Sequence, residues 1–443
     1  MSNEKEGMLM QQEEKHGFVP KLRFPEFRDA GGWIVIELRS ISQLVTERVG
    51  STVCTPYTIT SGVGLISQEE KLGRTIAGNS LKNYIVLQKN DFAYNKSATK
   101  AYPQGFIATY LGNERAAVPN SIFTCFRVNQ KQVIPAFLDA LFANNLHGTW
   151  LRTRIAVGAR AHGSLQVSDD DLMTTPVPLP SNTRSLEEQQ KIADCLTSLD
   201  DLITLEVKKL DAIKAHKNGL MQQLFPAEGE TLPKLRFPEF REAGEWTQMP
   251  LSKVCDVLQG YGFPVTLQGK TVGKYPFCKV SDISRGVAES GGVLTEAANY
   301  VDDEDLRKLR AKPIPKGATV FAKIGEALRL NRRAFVQRDC LIDNNATGLK
   351  AIDGAATDYF VYLLSQRIDL NKHCGGAVPS VNKSTLEEIE VIVPDPDEQK
   401  QIADCLGSLD NAIAVQSRKV ETLKSHKKGL MQQLFPVLDE VQE

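Results

Sequence analysis

The residues best placed to do chemistry in this chain are two loose groups of Lys, Arg and Asn. In the first half, Lys96 and Lys100 flank a polar stretch after Tyr94-Asn95, and Arg152, Arg154 and Arg160 cluster with few acids nearby. In the second half, Lys323, Arg329, Arg332, Arg333 and Arg338 form the densest basic run, with Asn331 inside it and Asn345 beyond. Ammonium and guanidinium groups at this density neutralise phosphate. Arg presents a donor fork that fits guanine, and Asn presents a donor and an acceptor that fit adenine. The pattern points to a nucleic acid whose bases are read. A solvated face with ordinary ion pairs is the competing reading. The run Asp302-Asp303-Glu304-Asp305 would face away from such a ligand.

The signs of catalysis are weak by comparison. Gly269-Lys270-Thr271 resembles the end of a phosphate-binding loop, but the glycine needed five residues earlier is Pro264. Pro394-Asp395 with Glu398-Gln399-Lys400 imitates a nuclease pattern, yet these residues read better as the start of a helix. No Asn/Asp-Pro-Pro-Tyr/Phe sequence is present to clamp an extruded base. His216 and His426 sit at equivalent repeat positions and form no constellation with a nucleophile or a metal ligand. Eight scattered cysteines without a CxxC pair read as reduced thiols and point to the cytoplasm. No apolar run is long enough for a membrane span. The net charge of −1 confines any polyanion contact to local patches. Residues 34–180 carry 14 Lys+Arg against 10 Asp+Glu, and residues 247–394 carry 19 against 17, so both stretches are mildly basic.

The elements that must position these residues are written twice. PKLRFPEFRDAGGW (20–33) returns as PKLRFPEFREAGEW (233–246), and the block at 188–226 returns at 398–436. Leu9-Met10-Gln11-Gln12 echoes Leu220-Met221-Gln222-Gln223. The unit is a variable domain followed by a helix, in cyclic arrangement. The helix signals are Ser185 with Glu188 as a capping box, Asp395 as a cap before Pro396 and Glu398, and Pro226 and Pro436 as stops. Each helix runs about 38 residues, roughly 57 Å. Ile192, Leu196, Leu199, Ile203, Leu210, Ile213, Leu220 and Leu224 form one apolar stripe, broken by Glu206 and Lys217. Ile402, Leu406, Leu409, Ile413, Val420, Leu423, Leu430 and Leu434 form the other, broken by Gln416 and Lys427. Their 4-3-4-3 spacing predicts a coiled coil between the two helices. A long helix lying on a domain core is the alternative.

The intervening stretches mix strand-like runs such as 83–87, 105–109 and 318–322 with helix-like runs at 134–144 and 357–368, which predicts an α+β domain rich in loops. The expected segments are a tail at 1–19, domains at 20–180 and 233–394, helices at 185–226 and 395–436, and a tail at 437–443. Two different domains on a helical spacer with approximate two-fold symmetry suit two separated, non-identical DNA half-sites.

Here the chain resembles the specificity subunit of type I restriction–modification systems. The resemblance rests on EEQQKIADCL (187–196) and DEQKQIADCL (397–406), which follow PVPLP (176–180) and VIVPDP (391–396), and on GLMQQLFP leading to PKLRFPEF. YPFCKVSDI (275–283), IPKGATVFAKIGEALRLNRRAF (314–335) and NYIVLQKNDFAYNKSA (83–98) add to it. It implies two target recognition domains joined by two long helices in an antiparallel coiled coil, with a pseudo-two-fold internal repeat. It also implies double-stranded DNA as ligand and two docked methyltransferase subunits, with restriction and translocase subunits as further partners. This chain would then hold no cofactor and no catalytic centre, and S-adenosylmethionine, ATP and Mg would belong to the partners. The rival is a two-headed scaffold whose variable domains bind proteins.

PKLRFPEF itself reads as a joint, because a base-reading element should differ between two domains that read different half-sites. Leu22, Phe24, Phe27 and Trp33, with Leu235, Phe237, Phe240 and Trp246, would anchor the chain as it leaves the helix. Contact of Lys21, Arg23 and Arg28 with phosphate or a partner is the alternative.

Overall fold

The computed structural model of the chain describes residues 18–60, 62–155, 165–375 and 378–437. These divide into two compact units, one of residues up to 204 together with those from 421, the other of residues 205–420. The division cuts both long helices, Ser185–Leu224 and Pro396–Leu434. Each unit therefore contains the start of one helix and the end of the other.

Both units share a frame. In the first, strand Trp33–Glu37 pairs antiparallel with Pro176–Pro180. In the second, Thr247–Pro250 pairs antiparallel with Glu390–Val393. Each ribbon brings the entering and leaving ends of a variable domain side by side and runs almost directly into a long helix. Pro176, Pro178 and Pro180 lack an N–H at alternate positions, which a two-stranded ribbon tolerates at its edges.

Above the ribbon, the first variable domain holds two four-stranded sheets. One has the order Ser42–Leu44, Phe123–Val128, Phe92–Asn95, Phe106–Thr109, all antiparallel. The other has the order Gly64–Ser67, Thr55–Thr60, Ala116–Val118, Ile85–Leu87. The second domain is built on a five-stranded sheet whose central strand, Thr319–Ala322, lies between Ala346–Ala351 and Ala334–Val336. A three-stranded sheet around Tyr275–Cys278 completes it. Helix Pro135–Ala143 in the first domain and helix Asp358–Arg367 in the second contribute buried aromatics to the core.

The helix ends take part in these cores. In the first unit Ile192, Ala193, Leu196, Met431, Leu434 and Phe435 pack with Trp33, Phe92, Phe126 and Phe137. Phe435 meets Phe137 edge-on at 5.6 Å. In the second, Met221, Leu224, Phe225, Ile402, Ala403 and Leu406 pack with Trp246 and Phe360. Phe225 stacks on Phe360 at 5.6 Å.

Between the ends, the helices pair antiparallel. In the second unit Lys217 binds both oxygens of Asp410 at 2.7 Å, and Gln416 donates to the Glu206 carbonyl at 2.9 Å and its carboxylate at 2.6 Å. In the first, Lys427 binds Asp200 at 2.5 and 2.6 Å. The polar residues that interrupt the stripes thus pair across the seam, where a buried polar contact fixes register. Both expected arrangements are present in different parts of one helix. Ile192, Leu196, Leu224, Ile402, Leu406 and Leu434 are buried in domain cores, whereas Leu199, Ile203, Leu210, Ile213, Leu409 and Ile413 are the half-buried seam.

The capping box expected of Ser185 with Glu188 is not formed, whereas the second helix begins at Pro396, directly after Asp395, as expected. The first helix begins at Ser185 itself, and the Ser185 hydroxyl accepts from Gln189 at 3.1 Å. Glu188 and Glu398 turn away from the helix start to bind arginine.

Candidate nucleic-acid interface

The two domains share little sequence, yet their central strands end alike. Lys96 follows strand Phe92–Asn95. Its N–H donates to the Ile122 carbonyl at 2.9 Å, and its carbonyl accepts from Leu165 at 2.7 Å. Lys323 follows strand Thr319–Ala322. Its N–H donates to the Asn345 carbonyl at 2.8 Å, and its carbonyl accepts from Val381 at 3.0 Å. Lys96 and Lys323 are therefore structural counterparts. Each opens a loop running to the next strand, and each loop is tied to a second loop from later in the chain. The sequence signal was present but thin: an aromatic, one residue, then lysine.

In the first unit, loop 96–105 lies over helix Leu146–Leu151, where His147 Nε2 sits 3.3 Å from the Gly105 carbonyl. Gly105 has a φ of +84°, and a Cβ there would come within 2.6 Å of the Tyr94 ring. The loop needs glycine at this point. Lys100, Arg152 and Arg154 are exposed on this face. Arg154 lies over the Trp150 ring at 3.1 Å and donates to the Trp150 carbonyl at 3.0 Å. Lys96 is half-buried and 3.4 Å from Asp169, which also accepts from Thr124 at 2.7 Å. Asn95 is half-buried, and its side-chain oxygen accepts from the Ser97 N–H at 3.0 Å. Arg160 lies outside the described residues.

Tyr94 requires correction. It is fully buried, and its hydroxyl donates to the Gln104 carbonyl at 2.8 Å. Burial raises its hydroxyl above the ordinary range. Strand alternation points Tyr94 into the core, so it supports the loop from beneath and offers nothing to a base.

In the second unit, helix Glu326–Arg329 carries exposed Arg329, loosely paired with Glu326 at 3.5 Å. Arg332 is half-buried and Asn345 is exposed. Two residues of the basic run have structural work. Asn331 adopts a φ of +52°; its amide donates to the Ile368 carbonyl at 3.1 Å and its oxygen accepts from Leu370 N–H at 3.1 Å. Asn tolerates this left-handed turn better than most residues. Arg333 is 4% exposed, lies over the Phe321 ring at 4.5 Å, and donates to Asn331 and to the Ile368 carbonyl at 3.2 Å. Burial pushes its guanidinium down to about 10. Neither is placed to read a base, because the Asn331 amide is committed within the fold and Arg333 is buried. The acidic run begins a helix: Asp302 and Asp305 close a capping box, and Lys270 and Lys274 pair with Asp302 and Asp303.

The joint is resolved in the same way. Arg23 is buried against Glu188, so it is not a surface cation.

A family model described as type I restriction modification DNA specificity domain matches residues 65–215 and 243–425. The putative type I restriction enzyme MjaX specificity subunit of Methanocaldococcus jannaschii is 25% identical over 344 residues, covering 75% of this chain and 74% of that protein. The MjaVIII specificity subunit of the same organism is 24% identical over 328 residues, covering 70% and 72%. Among solved structures, the type I restriction-modification S subunit from M. genitalium aligns over 95% of this chain and all of its own, with a TM-score of 0.57 at 14% identity. A chain from work on assembly and conformational transition of the type I R-M system aligns over 91% and 98%, with a TM-score of 0.52 at 16% identity. With the family model matched twice, once over much of each variable domain and the helix that follows it, the chain belongs to the type I restriction modification DNA specificity family, and its role is that of a DNA sequence-specificity subunit.

Proposed function

We propose that each variable domain reads one half of a bipartite, asymmetric DNA target through its paired-loop face, and that the protein itself catalyses nothing. The observation that carries this reading is the equivalence of Lys96 and Lys323. The same point of the same frame bears different loops in the two units: 96–105 with Lys100, Arg152 and Arg154, and 323–332 with Arg329 and Arg332. A shared backbone position with divergent neighbours suits a phosphate contact beside base contacts that differ by half-site. Asn95 and Asn345 remain candidate contacts on these faces, and Arg160 remains a candidate from its sequence position alone. The long helices would space the half-sites and dock methyltransferase subunits, through which restriction subunits join. Adenine methylation, ATP and Mg chemistry then belong to those partners, and the complex works in the cytoplasm.

Exchange of residues 247–394 for the equivalent stretch of another family member tests the proposal. The expected outcome is a change in one half of the recognised sequence, read by mapping the methylated adenines in host DNA. A change in both halves would overturn the modular reading, and retention of the old sequence would overturn the assignment of recognition to this domain.

A further inference from the structure

PKLRFPEF is identical in the two units, and so is what its arginine does. Arg23 donates from Nε and Nη2 to the two oxygens of Glu188, both at 2.7 Å, and from Nη1 to the Gly31 carbonyl at 2.5 Å. Arg236 makes the same three bonds to Glu398 and Gly244 at 2.8, 2.7 and 2.6 Å. Gly31 and Gly244 hold φ values of +80° and +77°, which aims their carbonyls back at the arginine. Both ion pairs are buried, with side-chain exposures of 5% and 0% in the first unit and 10% and 2% in the second. Glu188 and Glu398 lie in the first turn of their helices, where the helix N-terminus also favours a carboxylate.

The residue after each glutamate faces the variable domain. Gln189 accepts from Ile134 N–H at 2.9 Å and donates to the Gln132 carbonyl at 3.2 Å. Gln399 donates to the Ala355 carbonyl at 3.0 Å and to the Pro394 carbonyl at 2.9 Å. A second rung joins the joint to the next helical turn, with Glu26 3.2 Å from Lys191 and Gln401 donating to Glu239 at 2.6 Å. We infer that this Arg–Glu–Gln clip is a positioning device: it fixes the angle at which each variable domain is mounted on its helix, and so fixes the number of base pairs between the half-sites. The inference rests on the bipartite reading above. A bidentate pair suits this purpose because the planar fork restrains rotation as well as distance.

The two clips differ in their support. Glu188 also accepts from Trp33 Nε1 at 3.2 Å and from Asn182 at 3.3 Å. Trp246, the counterpart of Trp33, has no partner for its Nε1 among the described residues. The second unit is therefore the more sensitive place to perturb.

The test uses the full-length protein, purified with the subunits that accompany it, to select from a pool of random-sequence duplexes. Wild type should return two half-site sequences at one gap length. Arg236→Lys keeps the charge and loses the fork; it should return the same half-sites at several neighbouring gap lengths, with discrimination against a one-base-pair change reduced about tenfold, or about 1.4 kcal/mol. Arg23→Lys should spread the gap less. The reversed pair, Arg236→Glu with Glu398→Arg, should narrow it again. Thermal melting of each variant, measured in parallel, separates misfolding from misplacement. A single unchanged gap length in folded Arg236→Lys, with affinity merely lower throughout, would overturn the inference. Wild type that returns no paired half-sites would instead overturn the bipartite reading.

Discussion

His147 lies beneath the candidate face of the first unit, edge-on to Tyr94 and Phe142 at 6.1 and 5.8 Å. Burial pushes its imidazole down to about 4, only partly offset by the Gly105 carbonyl. Below the unfolded value near 6.5 the unfolded chain binds a proton that the folded chain does not, so stability falls as the pH drops from about 6.5 to about 4. The loss approaches about 3 kcal/mol at the lower end. Melting temperature against pH checks this, since His147→Phe should flatten the decline across that window. On the proposed reading, exposed Arg329 and half-buried Arg332 serve DNA contact and not folding. Arg329→Ala with Arg332→Ala should leave the melting temperature unchanged and make the slope of log binding constant against log salt shallower by about 0.9 for each phosphate no longer neutralised. Arg333→Met should do the reverse, with a lower melting temperature and an unchanged slope. Sequence could not separate Arg332 from Arg333, because neighbours of the same type differ only in which way the strand and turn aim them. The same limit applied to Tyr94 and Asn95.

At the scale of elements, the legible features were those with a period or a boundary residue. The heptad stripes located both helices, and Pro226 and Pro436 lie just beyond ends that the structure places at Leu224 and Leu434. The interruptions Glu206, Lys217, Gln416 and Lys427 looked like flaws in the stripes. They pair across the seam or with the facing helix, and Gln416 and Lys419 hold the Glu206 carboxyl below its usual range. Pairing of this kind depends on the register of two segments far apart in sequence, which no single stripe encodes. The division of each helix into a part on a domain core and a part on its partner was likewise hidden, since leucine and isoleucine serve both surfaces equally well. The short strands of the variable domains fared worst. Strands of two to six residues carry too little alternation to fix their order, and the equivalence of Phe92–Asn95 with Thr319–Ala322 appears only from their hydrogen-bonded neighbours.

At the scale of the whole molecule, each unit borrows an end of a helix that begins in the other. Leu22 N–H donates to the Gln433 carbonyl at 2.9 Å, and Leu235 N–H donates to the Gln223 carbonyl at 2.9 Å. The joint therefore meets a helix end identically in both units, although only residues 227–232 of the second make that meeting continuous in the chain. A break within 227–232 should thus leave one particle. Limited proteolysis there should give two bands on a denaturing gel and a single peak on size exclusion, and separation into two species would show that the borrowed helix ends contribute little.

The sequence by itself determined the duplicated plan, the two long helices, the mixed character of the variable domains and the family, because repeats, periodicity and caps are local or self-similar and survive in one dimension. Only the tertiary structure decided which cations are exposed and which are buried, that Lys96 and Lys323 are counterparts, and that the arginine of PKLRFPEF is buried on a glutamate 165 residues away in one unit and 162 in the other. Those outcomes depend on burial and on pairing between distant segments. A side chain's charge says what it can bind; its burial and its neighbours decide what it does bind.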